Sequence, residues 1–448
     1  MVIHPIEYRY GTPEMRAVWT EESRFACIVR TEIALARASA DFGLVPGVAA
    51  DVIERNAPSA RLLRAKEIEA EINHDMMAIV KAIAEVCGEA GGWIHYGATS
   101  NDILDTATGL QLRESIELID AKLHTLFAAL LDRSMATRRL VCAARTHGQI
   151  GIPTTYGLRF AIWAAEVARH LDRLKEITPR VTVGQLTGAV GTQAALGEKG
   201  MEIQARMMEI LGLGAVDVSN QVVSRDRYAE YFMFLAGVAT TLDKIGIALR
   251  TLQRTEIGEV EEAFGQKQVG SSTMPHKRNP IKSEQVCGLA RIVRSSVEPA
   301  LQDNTLWDER DLTNSSAERI LFPESTILCD HIIRLMTRVI EGLTLREENI
   351  RRNLFLLHGA NMAESVMIEL TRRGMDRQHA HEVVRVASME ALAGNEPLED
   401  VLTRKHEVIM CVSRERIGEL LDPYRYTGTA VRQVELLDQK MREKYLKA

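Results

Sequence analysis

From Asp226 to Val260 the apolar residues Tyr228, Phe232, Leu235, Ala239, Leu242, Ile245, Leu249 and Leu252 recur at intervals of three or four, with no proline between them. An α-helix turns once in ~3.6 residues, so this spacing lays them along one seam and predicts a single long helix packed against others. Similar stretches cover about 103–140, 154–177, 281–302 and 315–342. Most run past the ~8–20 residues usual for a globular helix, which predicts a bundle of tall helices. Alternating β-branched runs are nearly absent, and "RVTVGQ" (Arg180–Gln185) is the best strand candidate. The expected class is therefore all-α. Shorter helices are expected at 13–42 and 60–89 and from 346 to the end, separated there by "HGAN", "RRGMD" and "AGNEP". Boundaries near 99 and 350 divide the chain into an N-terminal helical domain (1–99), a central long-helix bundle (100–350) and a C-terminal helical domain (351–448).

Composition narrows the function classes. A chain of 448 residues exceeds what one core usually serves. The net charge of −6 gives no basic excess for nucleic acid or an anionic membrane surface. Six cysteines are scattered without a C-x-x-C pair, which reads as reduced thiols and not as a zinc site or a disulfide framework. The opening "MVIHPIEYRYGTPEM" has no apolar signal core, and no uninterrupted apolar run reaches membrane-spanning length. A soluble, cytoplasmic protein is expected.

Polar segments between helices are where function usually sits in such a scaffold. The most unusual is "VGSSTMPHKRNPIKS" (Val269–Ser283), with too few apolar side chains to offset its own ordering entropy. Ser271 and Ser272 offer hydroxyls beside Gly270, Lys277 and Arg278 offer cations, and Asn279 an amide, while Pro275 and Pro280 restrict the loop's shape. That set suits a carboxylate or phosphate and lowers the cost of an alkoxide-like serine. Five further segments accompany it: "EYRYGTPEM" (7–15), "NHDM" (73–76), "HYGATSND" (95–102), "RTHGQ" (145–149) and "WDERDLTNSSAER" (307–319). Each has a plain structural reading; "ATSND", for one, is an ordinary helix N-cap signal.

Together these segments resemble the fumarase/aspartase superfamily, whose members eliminate fumarate from succinyl compounds. "GSSTMPHKRNP" resembles its signature loop (about 263–281), and "HYGATSNDILDTA" and "RTHGQ" its other two motif regions. "RYGTPEM", "RTHGQIGIPTTYG" and "WDERDLTNSSAERI" are similar to the branch that acts on succinylated purine nucleotides. The resemblance implies three helical domains whose central bundle forms a twenty-helix core in a homotetramer with shared active sites. It also implies cleavage of the C–N bond of adenylosuccinate to AMP and fumarate, and of the succinylated aminoimidazole carboxamide ribotide (SAICAR) to AICAR and fumarate, in purine biosynthesis without a cofactor.

Such an elimination needs a base, an acid, and donors for charge developing on a carboxylate. By the resemblance Ser271 is the base and His147 the general acid, with His74 supporting it or binding phosphate. Lys277 and Asn279 hold the succinyl carboxylate, and Glu284 pairs with a histidine. Arg9, Tyr10, Ser315 and Arg319 correspond to phosphate contacts, Thr99 and Ser100 to carboxylate contacts, and Gln221 and Arg310 to further substrate contacts. Asn73, Asp75, Gln149, Ser272, Arg278 and Ser316 complete the implied binding set. Two positions depart from the pattern: Asn73 stands where many relatives carry arginine, and Gln149-Ile150-Gly151 replaces a commoner tripeptide.

Other segments are set aside. "TGAVGTQAALGEKG" (187–200) lacks the ending of a phosphate loop, and His379 and His381 do not share a helix face as metal ligands would. His124, His170 and His331 fall on helix patterns as packing or surface residues. The nearest alternative is the 3-carboxymuconate cycloisomerase branch, which shares a similar loop but lacks the acid histidine. Argininosuccinate lyase and fumarase fit His276-Lys277-Arg278 less well. A non-catalytic helical protein fits poorly with Ser271, His147 and Lys277 retained together.

Overall fold

The computed structural model describes residues 3–265 and 267–446. Gln266, inside the expected signature loop, lies outside them. Five long helices occupy the expected stretches: Ser100–Ala136, Tyr156–Val181, Asp226–Leu252, Ile281–Ser295 and Thr313–Gly342. The stretch expected at 281–302 is two helices, since Val297–Gln302 follows as a separate piece. Pro299 explains the break: it has no N–H to offer the carbonyl of Ser295, and its ring crowds that carbonyl.

The chain divides into two compact units. One comprises Met1–Leu123, Arg169–Leu242 and Gly288–Arg334, the other His124–Ala168, Asp243–Cys287 and Leu335–Ala448. Every cut falls within one of the five long helices. In the first unit the helices Glu21–Asp41, Leu62–Ile72 and Asp75–Cys87 bury Ile28, Leu35, Ile68, Met76 and Ile83 in a core shared with Ile103, Leu110 and Met207. In the second unit Ala363–Arg372, Arg377–Gly394, Leu398–Thr403 and Arg414–Leu420 close around Val366, Leu370, Val384, Val401 and Ile417.

Among the described residues, Asp226–Leu252 alone is long and apolar enough to cross a membrane, with a mean hydropathy of 1.5 over its best window. Yet Tyr228, Phe232, Leu235, Ala239, Leu242, Ile245, Leu249 and Leu252 are all buried, so the seam itself accounts for the helix's hydropathy.

The strands differ more from expectation. Arg180–Gln185 contributes only Val183–Gly184, paired in parallel with Gly214–Ala215. The main strands are Val141–Thr146 and Gln149–Thr155, an antiparallel hairpin. His147 and Gly148 are its two turn residues, both with positive φ (53° and 78°). That is the dihedral signature of a type I′ turn, whose twist matches the flanking strands. The readable signal was a two-residue loop ending in glycine; the short, irregular alternation on either side hid it.

Candidate active site

In the first unit the "NHDM" segment is a helix junction. Asn73 ends one helix in the left-handed region (φ 54°), where asparagine is better tolerated than most side chains. His74 caps the next: its Nδ1 accepts the Met77 N–H at 3.3 Å, which leaves the proton of a neutral imidazole on the outward Nε2. Asp75 accepts from Arg319 at 2.8 Å. Asn73 and His74 are exposed, Asp75 partly so.

Ser100 opens the next long helix, and the "ATSND" cap reading holds. The Thr99 N–H donates to Asp102 at 2.9 Å. Asp102 does more than cap. It is fully buried and also accepts from the backbone N–H groups of Thr187 (2.8 Å) and Gly188 (3.0 Å). Burial raises its pKa despite these donors. The carboxylate thus ties the start of the helix to the 187–188 loop, which holds Thr99 and Ser100, both partly exposed, in place.

Beyond that cap, Asn101, Leu104, Asp105 and Thr108 follow at helical spacing on one face, and Asn314, Ser315, Glu318, Arg319 and Phe322 do so on another helix. Both faces line a cavity of about 410 Å³, together with Arg24, Asp75, Arg225 and Arg310. Four expected residues therefore meet here: Asp75, Arg310, Ser315 and Arg319. Gln221 is joined to them, since its Oε1 accepts from Arg310 at 2.8 Å while its own amide N–H donates to the Ala189 carbonyl. Ser316, one residue on, is exposed.

Arg9 and Tyr10 do not line this cavity. Arg9 is exposed, and the Tyr10 ring lies 5.4 Å from that of His331. The turn after them depends on Gly11 (φ 86°), where a Cβ would stand 2.4 Å from the Ile327 Cγ2.

The cavity wall holds a cluster absent from the sequence reading. Arg225 donates to both Asp105 oxygens (2.6 and 2.9 Å) and to both Glu318 oxygens (2.9 and 3.2 Å). Burial opposes its charge, but the two carboxylates outweigh burial and its pKa stands above the ordinary value. Burial, with the charge of Asp105, raises the Glu318 pKa. Arg225 sits in "SNQVVSRD" and Glu318 in "SSAER", both conspicuous segments, yet their pairing joins residues 93 apart and no spacing rule reveals it.

The second unit carries His147, Gln149, Ser271, Ser272, Lys277, Arg278, Asn279 and Glu284. His147 stands exposed at the hairpin tip, with Gln149 exposed on the strand that leaves it. The hairpin is fastened from below by Glu259, fully buried, which accepts from Arg145 (2.7 Å), Tyr156 (2.6 Å) and Asn353 (2.9 Å). This carboxylate too was missed, since nothing near it in sequence marks it.

The signature loop folds back on itself. Gly270 lies so close to the Lys277 carbonyl that a Cβ would meet that oxygen at 1.9 Å, and Asn279 Nδ2 donates to the Gly270 carbonyl at 3.1 Å. Ser271 Oγ accepts two backbone N–H groups, from Thr273 (3.3 Å) and Met274 (3.0 Å). Arg278 pairs with Glu261 at 2.5 Å; Arg346 binds the same carboxylate. Burial opposes ionisation of Glu261, but the two guanidiniums prevail and its pKa is lowered. Lys277, Ser272 and Glu284 are exposed, and Glu284 pairs with no histidine among the described residues of the chain.

Residues 7–294 match the model of a lyase family, and 359–437 match a model described as the adenylosuccinate lyase C-terminus. An adenylosuccinate lyase from Methanocaldococcus jannaschii is 51% identical, covering 99% of this chain and 97% of that protein. One from Archaeoglobus fulgidus is 52% identical, covering 97% and 98%. Among solved structures, a fumarate lyase from Mesorhizobium sp. BNC1 superposes with a TM-score of 0.89 at 31% identity, covering 96% of this chain and 98% of that one. A 3-carboxy-cis,cis-muconate lactonizing enzyme from Pseudomonas putida does so with a TM-score of 0.89 at 32% identity, covering 99% of both. Fold and motifs define a lyase of the fumarase/aspartase type. Within that class the chain belongs to the adenylosuccinate lyase family, and it is a carbon–nitrogen lyase.

Proposed function

We propose that the chain eliminates fumarate from adenylosuccinate to give AMP, and from SAICAR to give AICAR, with Ser271 as base and His147 as acid. The observation that carries the mechanism is the pair of N–H groups on Ser271 Oγ. Hydrogen bonds of this kind favour the deprotonated form of a group that is otherwise a poor base. Lys277 and Asn279, in the same loop, supply a cation and an amide for the carboxylate beside the carbon that loses its proton. His147 protonates the departing nitrogen, and His74 offers its Nε2–H to the same end or to phosphate. Glu284 would set the charge of a histidine contributed by another copy.

Ser315 and Arg319 take the phosphate, with Arg9 and Tyr10 joining them; Thr99 and Ser100 take a carboxylate. Gln221 and Arg310 take other parts of the substrate, and Asn73, Asp75, Gln149, Ser272, Arg278 and Ser316 are peripheral contacts. The direct test is whether purified protein converts adenylosuccinate, read as the change in purine ultraviolet absorbance, and SAICAR in parallel. Conversion of neither substrate would overturn the reading. The cycloisomerase alternative is supported by fold likeness at 32% identity, against 51–52% over nearly the full length for the curated relatives above.

His147→Gln is expected to lower kcat by roughly 10²–10⁴-fold through loss of the proton donor. Arg319→Ala is expected mainly to raise KM, by roughly 10- to 100-fold, through loss of a charged phosphate contact. Equal kcat losses with unchanged KM for both would show the roles to be wrongly divided.

The working assembly proposed is a cytoplasmic homotetramer with a twenty-helix core, built from chains divided at about 99 and 350 into three helical domains. Its sites draw residues from different copies. Co-refolding His147→Gln with Ser271→Ala protein should then regenerate up to about a quarter of the sites at equal mixing, the chance that both contributing chains are intact where needed. Activity never above the sum of the separate mutants would place His147 and Ser271 of one site on the same chain.

A further inference from the structure

The cavity of the first unit is lined by five cationic side chains and five carboxylates, but they pair unevenly: Arg225 takes two carboxylates, and Glu69 pairs with no cation among the described residues. Arg225 is matched by Asp105 and Glu318, Arg319 by Asp75, and Lys66 by Glu21. Two guanidiniums are left over. Arg310 donates to the neutral Gln221 amide, and its Nε is buried with no partner among the described residues. Arg24, one turn into the helix Glu21–Asp41, lines the cavity with no hydrogen bond or ion pair of its side chain among the described residues. Burial, and then the positive charge of Arg319, lowers its pKa against the opposing charges of Asp75, Asp105 and Glu318.

We propose that Arg24 is a further contact for the phosphate monoester of the substrate. This rests on the phosphate assignment of Ser315 and Arg319 above. A phosphate monoester carries about −1.5 to −2 charges at neutral pH. Arg319 alone is a weak match for it, because Asp75 already neutralises that guanidinium. Arg24 supplies, in the same cavity, a guanidinium that no carboxylate pairs with among the described residues. A planar, bidentate fork also fits phosphate oxygens better than a lysine would.

The test compares the full-length wild type with Arg24→Gln and Arg24→Lys, on adenylosuccinate and on the same nucleoside without its 5′-phosphate, with AMP as inhibitor. Arg24→Gln is expected to raise KM for adenylosuccinate and the AMP inhibition constant by roughly 10- to 100-fold. It should leave kcat within about 3-fold and kcat/KM for the dephosphorylated nucleoside unchanged. Arg24→Lys should fall between. An unchanged KM and AMP inhibition in Arg24→Gln would overturn the proposal. So would equal losses on both substrates with a lowered melting midpoint, which would mark Arg24 as a packing residue. If the wild type converts no adenylosuccinate, the functional reading fails by itself. Calorimetric AMP binding then decides the Arg24 question: weaker binding by Arg24→Gln supports the proposal, and equal or absent binding in both proteins overturns it.

Discussion

Ser271→Ala is expected to cut turnover of adenylosuccinate by roughly 10²–10⁴-fold, the contribution of a positioned general base. Binding of the substrate should be nearly unchanged, because proton abstraction matters in the transition state and not in the ground state. The loop's own geometry argues that the effect will be local. Ser271 is partly exposed, and the close approach of Gly270 to Lys277 and the Asn279 contact to the Gly270 carbonyl do not involve the hydroxyl. What is lost is an oxygen on which two N–H groups converge. The measurement is steady-state kcat beside calorimetric binding of adenylosuccinate. Retention of more than a few per cent of wild-type kcat would remove Ser271 from the role of base.

Arg225→Met is expected to cost about 3–5 kcal/mol of stability, among the larger effects available to a single substitution. Arg225 is 3% exposed, Asp105 5% and Glu318 14%, so little of either carboxylate is open to solvent. The mutant holds two like charges side by side with little solvent exposure. Taking up a proton on Glu318, whose pKa burial already raises, relieves them, so its stability should fall further as pH rises through the range in which Glu318 ionises. Denaturant unfolding of wild type and mutant at two pH values measures both effects. Adding Asp105→Asn and Glu318→Gln to the mutant should recover much of the loss, since the damage comes from stranded charge and not from the missing volume. A stability loss below about 1 kcal/mol would mean that water or a neighbouring cation already serves these carboxylates.

The sequence alone determined the class of fold. Tyr228 to Leu252 recur at helical intervals, and every one of them is buried, because a helix short of packing partners must bury its apolar stripe. Glycines and prolines marked breaks between helices, and polar segments held Ser271, Lys277, Asn279, His147 and Arg319, whose roles the family resemblance then implied. Each of these signals is local, carried by neighbours in the chain. Tertiary structure decided the rest. The strand hairpin that holds up His147 depends on a two-residue turn with positive φ, and on Glu259 reaching Arg145 across 114 positions. The Arg225 cluster joins residues separated by 93 and 120 positions, and Asp102 fastens its helix to a loop 85 residues later. Buried charges need partners supplied at a distance, and no period or spacing along a chain records which distant residue will be there.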